Sequence, residues 1–164
     1  MRSLLLLLFA LFAFNTGFSQ QMNPDKLLEI MQRESDTLQV NGNSYQFIVD
    51  NTMLICVFDE SANRMRIISP IVEREKIGEE ELLNALVANF HSALDVKYAL
   101  SDEVIWSVFI HPLRELSEEQ VADAIQQVYT AARTFGGSYS STNLVFPGNT
   151  KKNEKTLPKV LKKT

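Results

Sequence analysis

Two hydrophobic periods alternate along this chain, and their order restricts the available folds more than any other feature. Tyr45, Phe47 and Val49 alternate with Ser44, Gln46 and Asp50, the two-residue period of a half-buried strand, whereas Leu82, Leu83, Leu86, Val87, Phe90 and Leu94 recur at helical spacing. Laid out in sequence, these patterns predict a helix, a three-stranded antiparallel meander, a helix, a β-hairpin and a last helix. Strands and helices grouped in this way define an α+β class.

The boundaries have chemical causes. Asn23-Pro24 starts the first helix, with Asn as cap and Pro at the first helical position, and it runs to about Glu34. Asn41-Gly42-Asn43 is a turn that separates this helix from the first strand. The meander comprises Tyr45–Val49, the continuous apolar run Met53–Phe58, and Arg64–Ile68, which stops at Pro70. Glu79, Glu80 and Glu81 follow Gly78 and suit the positive end of the second helix, whose broad apolar stripe predicts a core helix. Val96–Leu100 and Val104–His111 flank Ser101-Asp102-Glu103 and make the hairpin. Ser117-Glu118-Glu119-Gln120 is a capping box, and the helix behind it points Val121, Ile125, Val128, Ala132 and Phe135 inward before Gly136-Gly137 ends it.

The ends differ from the middle. Met1-Arg2-Ser3 precedes eleven apolar residues, Leu4 to Phe14, and small residues follow at Gly17 and Ser19. This is a signal-peptide pattern for residues 1–19, too short for the roughly 20 residues that span a bilayer. The expected product is exported to the periplasm or the outside medium and does not span the membrane. Gln20 and Gln21 stand where a lipoprotein would carry its cysteine. Residues 20–146 are expected to form one domain, and 147–164 a disordered Lys-rich tail. The stretch Lys151–Thr164 holds six lysines and one glutamate, while residues 20–150 hold nine basic and nineteen acidic side chains. An acidic body argues against nucleic acid as a partner.

Candidate chemistry is sparse. Cys56 is the only cysteine, lies in an apolar run, and is expected to be a small core residue. His91 has no His or Cys three or four residues away to complete a metal pair. His111 stands beside Pro112 without a recognisable acid partner, and the glutamates at 79–81 open a helix instead of alternating around a calcium loop. Phosphate-cradling glycine loops and nucleophile elbows are absent from the sequence. No catalytic residue, cofactor or metal is assigned.

Leu83-Asn84-Ala85-Leu86-Val87-Ala88-Asn89-Phe90, Val96-Lys97-Tyr98-Ala99-Leu100-Ser101-Asp102-Glu103, Phe109-Ile110-His111-Pro112-Leu113 and Leu116-Ser117-Glu118-Glu119-Gln120-Val121 resemble the YbjN domain family. More distantly they resemble type III secretion chaperones of the Tir chaperone kind. The resemblance covers about residues 24–137. It implies a sheet with one face covered by helices, pairing into homodimers, and binding of protein or peptide segments without chemistry. Secretion chaperones act in the cytoplasm, whereas this chain carries an export pattern, so only the binding architecture transfers.

The sheet locates the expected contact. With Val104, Trp106, Val108 and Ile110 turned to the helices, Ile105 and Phe109 face outward beside Arg66 and Ile68 of the third strand and Lys97 of the fourth. Such an apolar patch with a basic rim marks contact with another molecule, or else a site that Leu144–Phe146 folds over. The first reading is therefore an exported non-enzymatic binding protein. A small-molecule binder or enzyme with a pocket near His111 or Trp106, and an envelope structural protein whose tail meets anionic polymers, are the alternatives.

Overall fold

The structure, a computed structural model, describes residues 21–143. The signal-peptide pattern, Leu144–Phe146 and the Lys-rich tail lie outside the described residues. Helix α1 (Pro24–Arg33) begins as expected: Asn23 Oδ1 accepts the Lys26 N–H at 3.0 Å and occupies one of the otherwise unpaired donors of the first turn. Leu27, Ile30 and Met31 form its buried side.

A strand that the sequence reading lacks follows. β1 (Thr37–Asn41) pairs antiparallel with β2 (Ser44–Val49), so Gly42-Asn43 is a hairpin turn between two strands, not a spacer between helix and strand. Gly42 takes φ +56°, the left-handed conformation such tight hairpins need. β1 is an edge strand with little burial, and Val40 is 55% exposed, so hydrophobic alternation did not mark it.

Asp50 and Asn51 turn the chain, both at positive φ, into β3 (Thr52–Asp59), which pairs with β4 (Arg64–Glu73). β4 runs through Pro70 instead of stopping there. The register slips by one residue between Pro70 and Val72, a bulge that accommodates a residue with no N–H to donate. A single 3₁₀ turn (Arg74–Lys76) leads to α2 (Glu79–His91), then β5 (Lys97–Ser101), β6 (Val104–His111) and α3 (Glu118–Thr134). At the start of α3, Ser117 N–H donates to Gln120 Oε1 at 2.8 Å and Gln120 N–H to Ser117 Oγ at 3.2 Å, closing the predicted capping box.

Among the described residues three helices and a six-stranded antiparallel sheet thus form an α+β fold, with strand order β1-β2-β3-β4-β6-β5. α3 lies across β3, β4 and β6, with α1 beside it over the β1–β2 end. Between helices and sheet, Phe47, Leu54, Cys56 and Ile67 meet Leu27, Ile125 and Val128, all nearly or wholly inaccessible. Polar groups in this layer are paired: Ser69 Oγ donates to the Met53 carbonyl at 2.7 Å and Ser107 Oγ to the Val128 carbonyl at 3.0 Å. Among the described residues no buried side-chain nitrogen or oxygen lacks a partner, which removes the usual penalty for polar burial.

Candidate functional site

β6 faces the opposite way from the sequence expectation. Ile105, Ser107 and Phe109 point into the helix layer, while Val104, Trp106 and Val108 are half-buried on the other face and Ile110 is 64% exposed. Ile105 and Phe109 are therefore core residues rather than contact residues, at 2% and 7% exposure. Both sets of this strand are apolar, so alternation alone does not orient it. Ser107 makes the inward set appear the more polar one, yet its hydroxyl satisfies an α3 carbonyl and costs little to bury.

Arg66, Ile68 and Lys97 do lie on the open face. Pairing register places side chains in rows across the strands. One row runs Gln46, Ile55, Ile68, Val108 and Lys97. The row toward the β3–β4 turn holds Ser44, Val57, Arg66 and Ile110. On the other side Pro70, Trp106 and Ala99 are aligned. The centre of this face is thus apolar, with glutamines toward β1, and Arg66 stands between Val57 and Ile110. Neither α1 nor α3 reaches it, because both occupy the opposite face. A depression of about 360 Å³ opens at its corner among Val57, Asp59, Arg64, Arg66 and Ile110, with the Asp59 carboxylate turned to its own turn, accepting from Ser61 and Ala62.

A second apolar surface is on α2, which the sequence reading treats as a core helix. Only Ala85 and Ala88 are buried; Leu83, Leu86, Val87 and Phe90 are 62%, 65%, 50% and 85% exposed. Small residues let α2 lie against the β5 edge, and its large side chains turn to solvent. Asn89 secures it there: its Nδ2 donates to the Tyr98 carbonyl at 3.1 Å and its Oδ1 accepts the Tyr98 N–H at 2.7 Å, imitating a neighbouring strand. Helical spacing detected the stripe but not its direction, since an apolar stripe marks an interface of any kind.

The remaining candidates are bland. His111 is half-buried, donates from Nδ1 to the Pro112 carbonyl at 2.8 Å and stacks on Phe109 with ring centres 5.9 Å apart. It borders a cleft of about 390 Å³ with Asp95, Phe109, Gln120 and Asp123, whereas Trp106 is on the open face and its indole N–H donates to the Ser101 carbonyl. His91 meets Phe90 in a T-shaped ring pair with centres 4.8 Å apart. Cys56 is fully buried, and desolvation pushes its thiol well above its ordinary pKa, which makes it unreactive. Among the described residues no group of three or more His, Cys, Asp or Glu is placed to hold a metal, and no helix is long and apolar enough to cross a membrane.

No protein-family model matches the chain, and no curated protein sequence matches it significantly. Solved structures do share its fold. The HopA1–SchA chaperone–effector complex contains a chain similar at TM-score 0.54 and 16% identity, over 68% of this chain and 90% of that one. The Yersinia pestis type III secretion chaperone SycH, in complex with a stable fragment of YscM2, is similar at 0.52 and 15%, over 68% and 97%. The ExsC–ExsE complex gives 0.53 and 13%, over 66% and 86%. The fold is a secretion-chaperone-like α+β sandwich, which at these identities is a statement about architecture alone.

Proposed function

We propose that this chain is an exported, chaperone-like binding protein without chemistry of its own, working as a homodimer that holds an apolar segment of another protein on its open sheet face. The observation that carries this reading is the half-buried apolar centre around Ile55, Ile68 and Val108, which among the described residues neither α1 nor α3 covers, on a sheet whose other face is filled by helices. A contiguous apolar surface rimmed by polar and charged groups is characteristic of protein contact. The structural neighbours are chains described as a chaperone–effector complex or as a chaperone bound to a protein fragment, which supports protein binding as the activity.

For the homodimer, the α2 stripe is the better surface. Leu83, Leu86, Val87 and Phe90 form a ridge free of charge, suited to a two-fold helix-on-helix contact. Pairing there leaves the sheet face free for a different molecule. Export rests on the Met1–Ser19 pattern, and N-terminal sequencing of the secreted product is expected to begin at Gln20.

Light scattering on residues 20–164 tests the dimer: wild type is expected at twice the monomer mass and the Val87→Ser/Phe90→Asp variant at monomer mass, with a cooperative melt that no longer depends on concentration and lies below the wild-type one where wild type is dimeric. A wild-type monomer at 100 μM refutes the homodimer. For the sheet face, the Ile68→Gln/Val108→Gln variant is expected to keep the dimer and its circular dichroism while losing protection of aggregation-prone apolar peptides. Equal protection by both proteins refutes the binding face.

A further inference from the structure

Arg66 is a charged side chain flanked by aliphatic ones on the open face, with Arg64 on the same side of β4 and Lys97 at the β5 end of the adjacent row. It stands between Val57 and Ile110 in its row and two residues from Ile68 along β4. The ion pairs of the described residues join Arg33 to Glu34 and Glu118, Arg74 to Glu79, and Lys76 to Glu73, and Arg66 has no such partner. A guanidinium among aliphatic side chains is tolerable while water reaches it. Once a segment covers the face, that charge loses its solvation and needs a carboxylate in the covering molecule.

We infer that the segment held by the sheet face carries an aspartate or glutamate among its apolar residues, and that Arg66 selects for it. This inference rests on the sheet-face reading above. Charge disfavours the other occupants. The outward-facing set of the six strands holds two carboxylates, Asp59 and Glu73, both at strand ends. Asp59 accepts from Ser61 Oγ at 2.6 Å and from the Ala62 N–H at 2.8 Å, and Glu73 is paired with Lys76 at 2.8 Å. A second copy laid on this face brings no uncommitted carboxylate from that set to Arg66. Residues 144–164 hold six lysines and a single glutamate, so the chain's own tail brings mainly the wrong sign.

The test pans a random twelve-residue peptide display library on residues 20–164 as wild type, Arg66→Glu, Arg66→Met and Ile68→Gln/Val108→Gln, each checked for folding by thermal melting. Wild type is expected to enrich apolar peptides containing Asp or Glu, Arg66→Met to keep apolar peptides without the acid preference, and Arg66→Glu to enrich Lys or Arg instead. A synthetic peptide from the wild-type pool is expected to bind Arg66→Glu about tenfold more weakly in calorimetry. Apolar enrichment that disappears in Ile68→Gln/Val108→Gln but shows no acid preference overturns the selection by Arg66 and leaves the binding face standing. Enrichment indifferent to Ile68→Gln/Val108→Gln, or no enrichment, overturns both. Dissociation of the dimer by Arg66→Glu identifies the occupant as a second copy and likewise overturns the inference.

Discussion

Phe109 and Ile110 are adjacent, similarly apolar, and differ entirely in consequence. Phe109 is 7% exposed beneath α3, and Ile110 is 64% exposed beside Arg66. Phe109→Ala removes a packed ring and leaves a cavity, so urea unfolding is expected to show a loss of about 3 kcal/mol. Ile110→Ser removes little buried area and is expected to stay within about 0.5 kcal/mol of wild type. Equal effects would reverse the facing of β6. Nothing in the spelling Val104-Ile105-Trp106-Ser107-Val108-Phe109-Ile110-His111 separates the two, because both alternating sets are apolar. The residue that settles it is Ser107, whose burial is permitted by the Val128 carbonyl more than twenty positions away. Of the five contact residues expected from sequence, Arg66, Ile68 and Lys97 share the open face, while Ile105 and Phe109 belong to the core.

Among elements, α2 is held to the body by few large side chains, and the Asn89 amide links it to the β5 backbone. Asn89→Ala leaves the Tyr98 N–H and carbonyl without these partners. The expected outcome is a loss of about 2 kcal/mol in stability and faster hydrogen exchange at the Tyr98 amide, with the β1–β4 amides little changed. Unaltered exchange at Tyr98 would mean that the bracket does not guard the edge. Such a device is invisible in sequence, where Asn89 is one polar residue on an apolar helix. The caps, by contrast, are legible because their partners are three residues away: Asn23 with Lys26, and Ser117 with Gln120. β1 is illegible in the sequence for a related reason, since an edge strand with little burial carries no strong alternation.

Across the whole molecule, burial couples stability to alkaline pH. Burial pushes the Tyr98 phenol up to about 12, its neutral hydroxyl donating to the Ala131 carbonyl at 3.0 Å, and burial also raises the Cys56 thiol. Both groups keep their protons longer in the folded state than in the unfolded one. Stability is therefore level below the unfolded values, near 8.5 for Cys and 10 for Tyr, and falls as pH rises from each toward its folded value. Urea midpoints are expected to be constant from pH 7 to 8 and to decline above about 9, with Cys56→Ala removing the earlier part of the decline. A decline of the same shape in Cys56→Ala would assign it to other groups. The α+β class, the order of the expected elements and their caps follow from the sequence alone, because period and capping are local and need only neighbours within a turn or two. Tertiary structure decided which side of β6 and α2 meets the core, and so where the open apolar surfaces lie. That choice depends on which distant helix covers which face, and two apolar faces on one element leave it to packing.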